Sequence, residues 1–346
     1  MFRPLLTAFA GALAVSALAC GDAKLYPYVR QPPVNPLDCP TSMVGYAGVA
    51  GNTTGGSTTT QPVVNASDLM ALTDALALDE PMVIRLNGTL TITDKIQIKT
   101  SNKTIIGVGT NSGLIGGGIE LSGVDNIILQ NLRIAKVQAA GNSDGDAIRL
   151  TTATHVWVDH CDLSSERDVA EGIYDGLVDM SHASDYVTVS WTVFHDHRDT
   201  SLVGHSPSAD AQLEDTGHLH ATYHHNLFRN VESGPRVRFG TIHVFNNDFE
   251  DVGIFGVAAE TLATARVQRN FFERVLESPI TTDYLDMLEG KAQNQENSFK
   301  DSGPNNVTMT TDLVVPYTFS PDSIEGMLAL ISGCTGPLDK LSSTQP

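Results

Sequence analysis

Between residues 126 and 272 the chain repeats a short apolar segment that is never long enough to make a helix. NIILQNLRI, HVWVDHCDL, DYVTVSW, ATYHHNLF, TIHVFNNDF and ARVQRNFF can be laid over one another without gaps, and MVIRLNGTLTI and KTIIGVG precede them in the same style. Asn131, His160, Trp191, His225, Asn246 and Arg269 then fall at equivalent places, separated by 29, 31, 34, 21 and 23 residues. Short strands at such spacings are the mark of a solenoid, in which each coil buries its apolar face only against its neighbours. Too little helix lies between the strands for a doubly wound α/β fold. Gly, Asn and Ser at the turns fit an all-β fold, a right-handed parallel β-helix. An antiparallel sandwich would need tight hairpins and cleaner in/out alternation.

The three longer spacings are consecutive, and each adds roughly ten residues to a minimal coil. They predict three neighbouring loops on one side of the solenoid, where repeat proteins place binding surfaces. The segment VFHDHRDTSLVGHS, residues 193–206, lies in the third.

The flanks differ in character. Arg3, an apolar run from Pro4 to Leu18 and the small-residue pattern Ala17-Leu18-Ala19 predict a signal peptide over 1–19. Cys20 follows directly, so the leader suits either ordinary secretion or a lipid anchor at a bacterial cell surface. Residues 20–62 read as an N-terminal extension ending in a Gly/Thr-rich linker over 48–62. VVNASDLMALTDALAL, 63–78, predicts a short helix that caps the solenoid, started by Asn65 or Ser67. The β-helix is expected over 63–300 and a C-terminal segment packing on it over 301–346. Residues 302–319 of that segment look extended, and 320–333 form a terminal helix with a Ser-Pro start. Cys39 and Cys334 can tie the two tails, although sequence alone does not set the pairing. Cys161 reads as a buried thiol, and no cysteine spacing suits zinc. No segment beyond the leader reaches membrane length, and a monomer is expected.

Charge narrows the choice of partners. Lys+Arg total 21 against 40 Asp+Glu, a formal charge of −19. Such a chain does not hold nucleic acid through bulk charge. It also repels an acidic polymer unless cations or a local basic patch reverse the field. Two acidic motifs sit in the first two insertions: Asp144-Gly145-Asp146, and Asp175 with Asp179 in DGLVD. Stacked on adjacent coils, they would bring four carboxylates together, an arrangement that a hard cation such as calcium relieves. Taken singly, Asp-Gly-Asp is an ordinary turn. Most of the histidines read as packed or bonded to backbone, because neighbours such as His224 and His225 face opposite ways on a strand. No Gly-x-Ser-x-Gly supports a serine hydrolase. Arg236 and Arg238 are clustered cations in an arginine-poor chain.

Together DGDAIRL, VWVDHCDL, YDGLVDMSHASDYVTVSW, FHDH…SLVGHS, ATYHHNLF and PRVRFGTIHVFNN resemble the pectate lyases, polysaccharide lyase family 1, in order from about residue 80 to 275. The resemblance implies a secreted parallel β-helix that cleaves polygalacturonate (pectate) by calcium-assisted β-elimination. By position, Asp144, Asp146, Asp175 and Asp179 are the calcium ligands, and Arg238 contacts substrate. Two positions depart from the family pattern. Its lysine after HDH is Asp199 here, and the arginine it uses as Brønsted base is Ser233. Arg238, Arg236, Asp199 and Ser233 are therefore the candidate catalytic residues, and Arg198, His197 and His205 the candidate substrate-binding ones. The alternative is a non-catalytic pectate-binding protein that retains the lyase fold. A glycoside hydrolase would need an acid pair that is not visible.

Overall fold

Each of the six aligned segments carries a corner between two strands, marked by one residue in left-handed backbone. Asn131, His160, Trp191, His225, Asn246 and Arg269 have φ of 59°, 49°, 49°, 53°, 52° and 49°. The repeat read from sequence is therefore a repeat of one backbone corner. The structure is a computed structural model that describes residues 33–35, 38–56, 63–139, 144–170, 172–285 and 288–339. The leader, Cys20 and part of the linker lie outside the described residues.

The strands form three parallel ladders. The first ladder runs in chain order from Val63–Ala66 to Lys291–Gln295, through ten strands. The second runs from Thr89–Thr91 to Ser298–Lys300. The third begins with Ile96–Ile98, Ile119–Ser122, Ile148–Thr151 and Val178–Ser181. Three long strands, Val193–Val203, Leu227–Arg238 and Asp248–Glu260, then run through both the second and third ladders. This is a parallel β-helix. Inward residues stack in columns. Ile127, Val156, Val187, Ala221, Ile242 and Ala265 make one, all fully buried. Phe194, Phe228, Phe249, Phe272 and Phe299 make another, with ring centroids 4.6 to 5.4 Å apart.

The residue after each left-handed corner locks the coils together. Thr192 N donates to Asn226 Oδ1 at 3.0 Å, Asn226 N to Asn247 Oδ1 at 3.0 Å, and Asn247 N to Asn270 Oδ1 at 2.9 Å. Each amide group also donates across to the next asparagine. The corner residue itself still donates to the next coil's carbonyl, as Trp191 N does to His224 O, but these residues after the corner direct their N–H to a side chain instead, and a buried donor without a partner is costly. The side-chain ladder supplies that partner.

Two helix boundaries differ from expectation. Val63–Ala66 is a strand paired with Val83–Leu86. The helix α1, Leu69–Ala77, starts later, capped by Asp68, whose Oδ1 accepts from Ala71 N at 2.8 Å. The β-branched Val63-Val64 pair has an open strand edge to join, and that outweighs the helical pattern. A second helix, α2, spans Ala209–Asp215. The terminal helix α3 spans Ile324–Cys334 and is capped by Ser323, three residues beyond the expected start. The third insertion also lies elsewhere than expected. Loops 136–147 and 165–177 join the second ladder to the third, but 204–219, which carries α2, joins the third to the first. The three insertions are not all neighbours, because Val193–Val203 crosses from the second ladder to the third without interruption.

The C-terminal segment lies along the corner residues. Leu338 N donates to Asn131 Oδ1 at 2.7 Å, Gly336 N to the Trp191 carbonyl at 2.8 Å, and Asp322 N to Asn246 Oδ1 at 2.8 Å. Cys334 at the end of α3 is disulfide-bonded to Cys39, with Cα atoms 5.4 Å apart. Cys161 is the free thiol among the described residues, and burial pushes it up to about 12. Beneath the segment, His243 packs on Phe245 and Phe319, and its Nδ1 lies 2.7 Å from Tyr317 Oη.

Two predictions follow from this packing. Asn247→Ala removes the acceptor for Asn226 N and the donor to the carbonyls of Tyr223 and Phe245. A loss of about 2–4 kcal/mol in urea unfolding is expected. His243 is held down to about 3, first by burial and then by Arg266. From about pH 6.5 downwards the unfolded chain binds a proton there that the folded chain refuses, so stability falls as pH falls. The slope reaches about 1.4 kcal/mol per pH unit for this ring. Urea midpoints measured between pH 7 and pH 5 should show it, and His243→Phe should reduce the slope by this ring's share, leaving that of His197, His224 and His225, which burial also lowers.

Candidate active site

The first two insertions bring the four predicted aspartates to one end of the third ladder. Parallel register stacks Arg149 on Asp179. Gly176 N donates to Asp146 Oδ1 at 2.9 Å, so the Asp175 loop is tied to the coil before it. Leu202 N donates to Asp179 Oδ1 at 2.9 Å. Gly176 is needed here: a Cβ on it would lie 2.1 Å from Asp179 Oδ1.

Two cations that sequence reasoning missed lie among these acids. Lys95 Nζ bonds Asp144 Oδ1 and lies 3.5 Å from Asp146 Oδ2. Arg149 Nη1 lies 2.5 Å from Asp144 Oδ2 and 3.1 Å from Asp146 Oδ2. Arg149 stood in DGDAIRL, and its spacing of three from Asp146 was the available signal. Lys95 is 49 residues from Asp144 and becomes visible only once the coils are in register.

The charges do not balance. Burial, then Asp146 and Asp144, push Asp175 up to about 6. Burial, then Asp146, raise Asp179 well above the usual carboxylate range. Burial raises Asp146 against the pull of Lys95. Burial also acts to raise Asp144, but Lys95 and Arg149 outweigh it and hold that carboxyl down. Four carboxylates and two cations are a donor set whose chemistry suits a hard divalent ion, but among the described residues no three acidic or histidine side chains are gathered closely enough to hold one as they stand.

The stretch 193–206 distributes its residues widely. His197 was expected at the substrate; instead it is 2% exposed. Its Nε2 lies 2.5 Å from the Asp175 carbonyl and its Nδ1 is bonded to Ser165 Oγ. It faces inward and braces the Asp175 loop. His205 stacks on His182, with centroids 4.3 Å apart, in the loop that leads to the first ladder. That corner is not the one that carries the aspartates. Arg198 points outward because Asp196, at φ 50°, bends the strand, and its Nε lies 3.4 Å from Glu232 Oε2. It borders a shallow cleft with Tyr174, Glu166 and Ser165.

Asp199 and Ser233 are register partners, and Ser233 Oγ donates to Asp199 Oδ1 at 2.8 Å. Ser233 is buried and Asp199 exposed, close enough for its charge to raise Asp175 further. Arg236 Nε pairs with the buried Glu260 at 2.6 Å, and its guanidinium lies 5.4 Å from the centroid of Tyr284. Arg238 is largely buried, with Nη1 donating to the Gly204 carbonyl at 3.0 Å. Glu260 and Tyr284 carried no sequence signal for this role.

The profile of the Pectate lyase family matches residues 34–324. The chain belongs to the pectate lyase family. Pectate lyase A of Aspergillus niger is 37% identical over 333 residues, 96% of this chain and 98% of that protein. Probable pectate lyase B of Aspergillus terreus is 41% identical over 235 residues, 68% of this chain and 69% of that protein. The crystal structure of a pectate lyase from Bacillus sp. N165 in complex with trigalacturonate aligns with a TM-score of 0.76 and 31% identity. The alignment covers 85% of this chain and 98% of that one. The fold and lyase class expected from sequence are those of these relatives. Within that pectate lyase frame, a hydrogen-bonded acid–hydroxyl pair, Asp199 and Ser233, stands where the resemblance expects two cations.

Gly176→Ala is expected to push the Asp179 carboxylate out of the cluster and to cost about 1–3 kcal/mol in urea unfolding.

Proposed function

We propose that this pectate lyase-type enzyme cleaves polygalacturonate by calcium-assisted β-elimination, with Asp199 as the base. The observation that carries the reading is the bond from Gly176 N to Asp146 Oδ1, which ties the Asp175–Asp179 loop to the Asp144–Asp146 turn on the coil before it, in a pectate lyase-family chain. Asp144, Asp146, Asp175 and Asp179 would hold calcium. When bound, calcium screens the carboxylates against a polyanion and draws charge from the uronate carboxylate, so acidifying the C5 proton. Arg238 and Arg236 add positive charge on the same sheet, stabilising the enolate-like intermediate. Asp199 accepts the C5 proton, oriented by the Ser233 hydroxyl. The electron pair forms the C4–C5 double bond, and the C4 oxygen leaves with a proton from water.

Export is part of the proposal. The pattern over 1–19 reads as a leader, and the Cys39–Cys334 disulfide suits an oxidising compartment. Cys20 lies outside the described residues, and ordinary secretion is the reading proposed. No helix among the described residues is long and apolar enough to cross a membrane. A monomer is proposed, since α1 and the C-terminal segment already cover faces of the solenoid.

A polygalacturonate digest tests the reading, followed by the ultraviolet absorbance of the 4,5-unsaturated product with calcium and with chelator. A calcium-dependent rise is expected, lowered about 10²–10⁴-fold by Asp199→Asn. No rise from the folded protein would overturn the elimination on this substrate. An unchanged Asp199→Asn rate would remove only the base assignment.

A further inference from the structure

The cation bound within the aspartate cluster comes from far along the chain. Strands Ile96–Ile98, Ile119–Ser122 and Ile148–Thr151 are consecutive neighbours in the third ladder. Lys95 therefore sits two coils from the aspartates, a backbone separation of about 10 Å. A lysine crosses that distance only where the coil between has no side chain in the way. The intervening coil there reads Gly116-Gly117-Gly118. A Cβ on Gly117 would lie 2.3 Å from the Asp94 carbonyl, and one on Gly118 2.5 Å from the Asp146 carbonyl. The gap is enforced by close backbone approach, and the Lys95 side chain is 3% exposed where it ends on the acids.

The consequence concerns the oxygens left for an ion. Asp144 Oδ1 is taken by Lys95 and Oδ2 by Arg149. Asp146 Oδ1 accepts from Gly176 N, and its Oδ2 faces both cations. Calcium seeks such oxygens at about 2.3–2.6 Å. An ammonium held against the same atoms and a divalent cation repel one another at that separation.

We propose that Lys95 is a resident counter-ion of the aspartate cluster that calcium must displace. This chain therefore binds calcium more weakly than its four aspartates would without it. Arg149, on the cluster's own strand, stays in place and fixes Asp144 and Asp146. The inference rests on the calcium assignment above but not on the lyase chemistry.

Calcium titration without substrate tests it, by calorimetry and by the calcium-induced rise in Tm. Lys95→Met keeps the length of the side chain and removes its charge. Calcium affinity at least about tenfold tighter in Lys95→Met than in the unmodified chain is expected. Equal or weaker affinity in the folded variant would overturn the proposal. A second readout needs no variant. Reductive methylation of Lys95, followed by mass spectrometry, should rise with calcium and fall with chelator, because a displaced ammonium becomes accessible. Labelling of Lys95 indifferent to calcium, in a chain that binds it, would also overturn the proposal. No calcium binding by either protein would sink the calcium assignment itself, whereas the product assay would still report on the lyase reading.

Discussion

One residue per coil in left-handed backbone sets the register of everything else. It turns the chain from the first ladder into the second without a loop. The side chain after it caps the N–H of the neighbouring coil, so a slip of one residue would orphan buried donors along the whole row. Trp191 and Arg269 accept a conformation that usually favours Gly or Asn because their side chains are held elsewhere: Trp191 stacks on His225 at 4.3 Å, and Arg269 donates to the Pro321 carbonyl. With corners fixed, inward columns fill and outward residues of distant coils come into contact. The candidate active site is a product of that register, since Lys95, the Asp144–Asp146 turn and Asp179 come from three different coils.

The electrostatics of the site follow from the same stacking. A chain of net charge −19 concentrates acids at the end of the third ladder, and the parallel arrangement offers them no way to spread apart. Some of the charge is met from within, by Lys95 and Arg149. What remains pushes Asp175 and Asp179 upward. Asp199 adds to the excess where the family resemblance implies a lysine. The field on this part of the sheet is therefore more negative than the resemblance alone implies.

Much of this was legible in the sequence, and the reasons are physical. The corner residues could be aligned because a backbone constraint repeats. Asp144, Asp146, Asp175 and Asp179 could be named because both motifs lie in insertions on adjacent coils. Lys95 could not, since nothing local distinguishes it; its role depends on a side-chain-free coil between. The depth of His197 was hidden too, because strand alternation fails where Asp196 takes φ 50° at the bend. The start of α1 was misplaced because helix periodicity carries no information about an open strand edge nearby.

The Cys39–Cys334 link has a consequence for how such a molecule ages outside a cell. It joins positions 295 residues apart, so nearly all of the solenoid lies within one covalent ring. A protease that nicks an exposed loop such as 165–177 opens the ring but releases no fragment. Both pieces remain joined by sulfur as well as by ladders of hydrogen bonds on either side of the cut. Damage at one point thus leaves a whole molecule with a broken thread, and the injury shows only when the thiols are reduced.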